Sequence, residues 1–435
     1  MRNLSKIKTI VVISIVLLIF ISGFAITYSY LDSKLTENSV GVIRNNETVF
    51  QGLNFTFPDG IQIIPHDDPS LNIEEDLIEL SDLEIREAIE RDFAAIETEA
   101  VFEIADALDE LLIFSDDENI FERVEISDRI FNVLLLGDDA RIDQDRGRSD
   151  TIILISFNRD TRVIHLTSFM RDILMPTNPS GNFWNRINIL HAIGGPGRTI
   201  NQINNIFSMD IQRYAVIGFS GVFPLIDALE GLELNLRSSE ALVLNRIFPD
   251  YDPVQAGYNL LNGRQVLAYS RIRAIDNDLA RTQRQRYVIK TIFEKLVETK
   301  NIADIFTLAA FAMDHVETNI PLNEILSIGL ELFTGPKPYI EELRIPIDGS
   351  YNHAQFYGAF ILTINFEENI TALHEALYGS ALGIKIPVFI YPEMDNAENI
   401  EMRLAATQTS PADTTETAEG EAAPLDAPAA QAAEN

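Results

Sequence analysis

Two apolar runs on either side of a charged loop constrain this chain more than any other stretch. Residues 130–136 (IFNVLLL) end at Gly137, and residues 151–157 (TIILISF) follow directly on Asp150. Short continuous runs of this kind predict strands buried on both faces. The loop between them carries Asp138, Asp139, Arg141, Arg148, Ser149 and Asp150. Adjacent strands would set those carboxylates and guanidiniums at one sheet edge, where open α/β sheets commonly bind phosphate. Hard carboxylate oxygens suit Mg²⁺, which takes one or two of them together with phosphate oxygens. On its own the loop reads equally as a solvated acidic hairpin with internal ion pairs.

Charge narrows the choice of partner. The 435 residues carry a formal net charge of −33, which disfavours nucleic acid, because a phosphate backbone needs a basic face. Cysteine is absent, so disulfides, thiol catalysis and thiolate metal sites are excluded. Residues 129–290 stand apart, with 18 Arg and one Lys against 16 Asp plus Glu. Arg offers a rigid fork suited to carboxylate and phosphate, whereas Lys is a point charge.

Residues 9–30 are a 22-residue stretch without a charge, preceded by Arg2, Lys6 and Lys8. As a helix it would be about 33 Å long, enough for a bilayer core. The basic flank predicts a cytoplasmic segment 1–8, a transmembrane anchor 9–30 and a body outside the cytoplasm. A cleaved signal peptide is the competing reading. Against it stand the length of the run and the lack of a small-x-small site directly after it. Residues 31–128 read as an acidic accessory region, with 23 Asp plus Glu against three Arg between 67 and 128. Apolar residues at near-helical spacing there predict one or two amphipathic helices with a solvated outer face. Residues 405–435, rich in Ala, Glu, Thr, Pro and Gln, have little to bury and are expected to be disordered.

The remaining section, 129–392, reads as the main domain. Runs at 163–167, 214–218 and 232–236 predict further strands, alternating with helical patterns at 199–207, 221–229, 262–271 and 280–298. That alternation predicts an α/β fold with helices on both faces of a sheet. Helices at 302–316 and 322–332 and a strand at 342–345 continue it. Arg171 and Asp172 follow one strand end. Arg271 and Arg273, two apart, point to one side of an extended segment. Arg281, Arg284 and Gln285 share a face near the start of a helix, where N–H groups favour anions. Three Arg-bearing loop ends suggest a polyanion such as a pyrophosphate. His165 and His191 read as packed or capping residues. Ser149 lacks the G-x-S-x-G setting of a nucleophile, and no Walker A or Rossmann glycine pattern is present. Gly194-Gly195-Pro196-Gly197 predicts a turn with Gly at positive φ.

Seven ordered blocks resemble the LytR-CpsA-Psr family. They are Leu135–Arg141 (LLGDDAR), Gly147–Thr151 (GRSDT), Phe169–Asp172 (FMRD), Arg186–Asn188 with Gly194-Gly195, Asp227–Gly231 (DALEG), Leu261–Tyr269 (LNGRQVLAY), and Arg271–Arg273 through Asp278–Gln285 (DLARTQRQ). The resemblance covers roughly 130–296. It implies an α/β/α sandwich with a central mixed sheet and an apolar pocket for a lipid. It also implies a membrane-anchored phosphotransferase that moves a glycopolymer from a polyprenyl-pyrophosphate carrier to peptidoglycan or another wall acceptor, assisted by Mg²⁺. By motif match, Asp139 and Asp150 would hold the metal. Arg148, Arg171, Arg271, Arg273, Arg281 and Gln285 would hold the pyrophosphate, with Asp139, Asp150, Arg148, Arg171 and Arg271 forming the catalytic group. Arg141, Asp172, Arg186 and Asp278 would support them. A hydrolase acting on the same lipid, or a non-catalytic envelope lipid-binding or regulatory protein, are the alternatives.

The match has departures. Asp138 stands where the family commonly has a small residue, which adds a negative charge beside the metal pair. Phe169-Met170 replaces Ile-Pro, Leu279-Ala280 replaces Phe-Gly, and Arg186 replaces Lys. Residues 219–229 and 288–296 are candidate walls of a lipid pocket and read equally as plain core.

Overall fold

The apolar runs become strands of a six-stranded mixed sheet in the computed structural model. The structure describes residues 42–43, 54–57, 61–64, 120–121, 126–139, 146–177, 183–272, 275–299, 315–379 and 387–390. The expected anchor, the helices expected between 67 and 128, nearly all of the 302–316 helix and the 405–435 tail lie outside the described residues. Among the described residues no helix is long and apolar enough to cross a membrane. Ile390–Asn435 is one compact unit and Met1–Phe389 the other.

Its principal elements are β1 (Ile130–Asp138), β2 (Ser149–Asn158), β3 (Val163–Phe169), α1 (Ile189–Phe207), β4 (Tyr214–Gly218), α2 (Phe219–Ala228), β5 (Leu232–Leu236), α3 (Ser238–Ile247), β6 (Gly257–Leu261), α4 (Gly263–Arg271), α5 (Asp278–Thr299), β7 (Val316–Thr318), α6 (Leu322–Thr334), β8 (Tyr339–Ile345), β9 (Tyr351–Phe356), β10 (Ala359–Ile364) and α7 (Phe366–Tyr378). The sheet order is β7-β4-β1-β2-β3-β8. β2 runs antiparallel to both β1 and β3, while β4 is parallel to β1 and β8 parallel to β3. The carboxyl ends of β1, β3, β4 and β8 therefore share one edge with the start of β2. That edge carries the site.

Side-chain alternation assigns helices to both faces. Phe157, Ile164 and Leu166 pack with Ile289 and Phe293 of α5 and with Ile328 and Leu332 of α6. On the opposite face Phe169 meets Phe207 of α1, edge to face at 5.0 Å, and Phe207 lies 6.1 Å from Phe366 of α7. This is the expected sandwich. Gly137 is required where β1 meets β2, because a Cβ there would lie 2.9 Å from that of Thr151. Asn132, polar within an apolar run, is buried on the α1 side. It donates to Asp210 and accepts from Ser156 Oγ, so the cost of burying an amide is offset by hydrogen bonds.

The run 232–236 departs from expectation. It joins β6, not the main sheet, in a separate antiparallel ribbon. The ribbon and α2–α5 enclose a second core built on Ile226, Leu232, Leu234, Leu244, Val266 and Val288. Ile226 and Val288 belong to the two runs considered as pocket walls, and both serve here as core. Asp227 accepts the Gly263 N–H at 2.7 Å, and Asn262 caps α4 by accepting from Gln265 N–H. A Cβ on Gly263 would fall 2.0 Å from the carbonyl oxygen of Phe223. The DALEG and LNGRQ blocks are thus two halves of one helix junction.

His374 of α7 donates from Nε2 to the Phe207 carbonyl at 2.8 Å, and its Nδ1 is buried without a partner. Burial pushes its imidazole below the ordinary range, as it does for His165. The unfolded chain therefore takes up these protons more readily. Stability from the neutral rings is present above the ordinary His value of about 6.5 and is lost as pH falls through the depressed folded value. In urea titrations, unfolding free energy is expected to drop between pH 7 and pH 5. His374→Gln should show a shallower drop; equal slopes would reject the assignment.

Candidate active site

β1 and β2 end the apolar pattern together, and a bulge between Gly137 and Asp138 turns the next residues out of register. Backbone bonds then hold the edge. Asp139 N–H donates to Arg148 O at 3.1 Å, Ser149 N–H to Asn188 O at 3.2 Å, and Asn188 N–H to Arg171 O at 3.3 Å. Four loop segments distant in sequence are thereby laid side by side.

Their side chains form a charge cluster centred on Arg171, which sits in the turn after β3. Its Nη1 donates to Asp150 Oδ2 at 2.9 Å, and its Nε lies 3.4 Å from Asp172 Oδ2 and 3.6 Å from Asp278 Oδ1. Arg281, in the first turn of α5, reaches the same Asp150 Oδ2 at 3.7 Å and Asp278 Oδ1 at 2.7 Å. Arg186 lies 3.5 Å from Asp172 Oδ1. Three guanidiniums thus balance three carboxylates. Burial works against the charged form of Arg171, but Asp150, Asp172 and Asp278 outweigh it and hold the guanidinium well above its ordinary value. Burial pushes the Asp172 carboxyl up, against the pull of Arg171 and Arg186. Further out, Arg271 at the end of α4 stands 4.0 Å from Asp139, and each side chain is 38% exposed. The site thus grades from a buried, balanced floor to an open rim.

The structure brings together Asp139, Arg148, Asp150, Arg171, Asp172, Arg186, Arg271, Asp278 and Arg281 from the sequence reading. Arg148 enters through its backbone bond to Asp139. Gln285 is half-buried one turn beyond Arg281, and among the described residues no hydrogen bond joins it to the cluster. Arg141 and Arg273 lie outside the described residues. Arg284, grouped with Arg281 by helical spacing, turns instead to Asp276 and Glu240. Ser149 is fully buried with Oγ donating to Thr151 O, a structural bond as expected. Asn188 is the addition: its amide lies 3.5 Å from Asp150 Oδ1. The RIN block was its signal in the sequence, but nothing there showed which residue it would face.

Among the described residues no group of three or more His, Asp or Glu forms a metal cage. Mg²⁺ seldom needs one, since it binds through one or two carboxylates and substrate phosphates. Asp139 and Asp150 flank the Asp139–Arg148 backbone bond at this edge and are 38% and 20% exposed, and Asp150 Oδ2 is engaged by Arg171, so any Mg²⁺ here would have to share that carboxylate with a guanidinium.

A model of the LytR_cpsA_psr family matches residues 105–373. This chain belongs to the LytR-CpsA-Psr family. It is similar to biofilm regulatory protein A of Streptococcus mutans, with 28% identity over 205 residues, 44% of this chain and 50% of that one. It is also similar to the polyisoprenyl-teichoic acid–peptidoglycan teichoic acid transferase TagV of Bacillus subtilis, with 26% identity over 217 residues, 48% and 54% of the two chains. The chain spans about half the length of these curated relatives. A solved structure, protein gbs0355 from Streptococcus agalactiae, shares the fold: TM-score 0.52 at 20% identity, over 63% of this chain and 95% of that one.

Within the LytR-CpsA-Psr pattern Asp138 was the unexplained charge. Its Oδ1 accepts the Gly147 N–H at 2.8 Å, and its Oδ2 lies 3.8 Å from Nε2 of the buried His191. The extra carboxylate closes the base of the charged loop. The expected glycine turn is also present: α1 is kinked at Gly194 and Gly195, with Gly195 at φ 61°. A Cβ on Gly195 would lie 3.1 Å from the guanidinium of Arg146, so the bare glycine lets that loop pack on α1.

Proposed function

We propose that the chain is a phosphotransferase that moves a glycopolymer from a polyprenyl-pyrophosphate carrier to a hydroxyl of peptidoglycan or another wall acceptor. The observation that carries this is the convergence of Arg171 and Arg281 on one oxygen of Asp150 at the sheet edge. Two largely buried guanidiniums held ready beside a carboxylate suit a polyanion better than a neutral substrate. Family membership and the similarity to TagV, a teichoic acid transferase by name, support the same chemistry.

In this reading the acceptor oxygen attacks the phosphorus next to the glycan. The bond to the polyprenyl phosphate breaks, and polyprenyl phosphate leaves. Asp139 and Asp150 would hold Mg²⁺, which when bound neutralises charge on the phosphate oxygens. Arg171, Arg281 and Arg271 orient the pyrophosphate and stabilise the charge that shifts to the leaving group. Asp139, at the open rim, is the carboxylate placed to take the acceptor's proton. Asp172, buried, and Asp278, half-buried, hold the guanidiniums in place. The uncharged stretch 9–30 is the proposed anchor that sets this site outside the cytoplasm.

The test is to incubate the full chain in detergent with Mg²⁺, a polyprenyl-pyrophosphate glycan and a peptidoglycan oligomer. Covalent joining of glycan to oligomer, read by mass spectrometry, is the expected result. Released glycan phosphate without joining would mean a hydrolase. Lipid binding without turnover would reject enzymatic function.

A further inference from the structure

The second charge cluster lies one helical turn along α5 from Arg281, and it is built differently. Arg284 is 4% exposed at its side chain. Its fork is closed on one carboxylate: Nη1 donates to Asp276 Oδ2 at 2.6 Å and Nη2 to Asp276 Oδ1 at 2.7 Å. Nη2 also donates to the carbonyl of Ile272, and Nη1 lies 3.4 Å from Glu240 Oε1. Arg237, at the start of α3, reaches Asp276 at 2.6 Å and Glu240 at 2.9 Å. Glu240 is itself 4% exposed. Two guanidiniums and two carboxylates balance, and both terminal nitrogens of Arg284 are spent on protein acceptors.

The gripped residues matter by their place in the chain. Ile272 directly follows Arg271 and precedes Arg273, and Asp276 lies two residues before α5. Arg284 thus ties Ile272, the residue that follows Arg271 at the end of α4, to Asp276 just before α5. We propose that Arg284 is a positioning residue: by clamping Ile272 and Asp276, backed by Glu240 and Arg237, it sets where Arg271, the residue before Ile272, meets the pyrophosphate. This rests on the pyrophosphate reading above. A planar fork is needed, because one nitrogen pair must span a carboxylate while also reaching a carbonyl; a Lys ammonium has no such fork.

Two readouts on the full chain in detergent test it. The first needs no ligand. In hydrogen–deuterium exchange, Arg284→Lys is expected to speed exchange across residues 270–278 while the β1–β3 strands stay protected. Exchange as slow as in the wild type would overturn the clamp. The second is binding of geranylgeranyl pyrophosphate with Mg²⁺ by calorimetry. Arg284→Lys should bind about tenfold more weakly, the loss expected when one charge-assisted contact to the pyrophosphate is weakened. In an Arg271→Ala background the same substitution should cost less than about twofold, because its effect passes through that side chain. An undiminished loss in that background would overturn the positioning role. Asp276→Asn, which keeps the shape and removes the charge, should reproduce both results if Arg284→Lys does not fold. Failure of the wild type to bind would overturn the pyrophosphate reading and the ligand half of this proposal; the exchange result judges the clamp separately.

Discussion

Arg171→Met is expected to lower the unfolding free energy by about 3–5 kcal/mol, the usual cost of removing one partner from a buried ionic cluster. Arg171 contacts all three carboxylates of the site floor. Methionine fills similar volume, so the loss measures uncompensated charge more than a cavity. Asp172 would suffer most, because burial already pushes its carboxyl up and Arg171 is the strongest pull in the other direction. The sign of the pH dependence follows. A carboxyl whose folded pKa lies above its unfolded value favours the fold below the unfolded value and loses that contribution as pH rises through the folded one. The deficit of Arg171→Met should therefore shrink as pH is lowered from 8 to 5 in urea titrations. A constant deficit would mean that lost packing, not charge, is responsible.

The second large effect concerns turnover. Asp150→Ala is expected to reduce Mg²⁺-dependent transfer by about a hundredfold to a thousandfold, the range found when one stabiliser of a charged transition state is removed. The fold should survive, since Arg171 keeps Asp172 and Asp278 and Arg281 keeps Asp278. Removing the carboxylate also leaves the site one unit more positive. Metal-free binding of geranylgeranyl pyrophosphate should accordingly hold or tighten while transfer collapses. That split separates a metal ligand from a residue that merely supports the pocket. Full transfer activity in Asp150→Ala would remove Asp150 from the metal assignment.

Part of this architecture is legible in the sequence. The runs at 130–136, 151–157 and 163–167 are unbroken because their strands are covered by helices on both faces. The segment LELNL was placed with them as a strand, but its alternation of Leu with Glu and Asn marks a strand with one wet face. It lies in the β5–β6 ribbon, with Glu233 and Asn235 exposed. Helix α3, strand β6, hairpin β9–β10 and helix α7 went unread, since their short mixed patterns gain stability only from tertiary contact.

The sequence by itself determined the α/β class, the sheet edge that gathers charge and most of the residues that stand there. Local periodicity and the order of the motif blocks suffice for that, because both are properties of neighbours along the chain. Only the tertiary structure decided which charge faces which. Arg281 and Arg284 are three residues apart on one helix, yet one meets Asp150 and the other Asp276. Asp138 and Asp139 are adjacent, yet one latches its loop while the other faces Arg271. A guanidinium is valued by its partners within about 4 Å, and some of these, such as Asp150 for Arg171 and Arg281, come from segments tens to more than a hundred residues away.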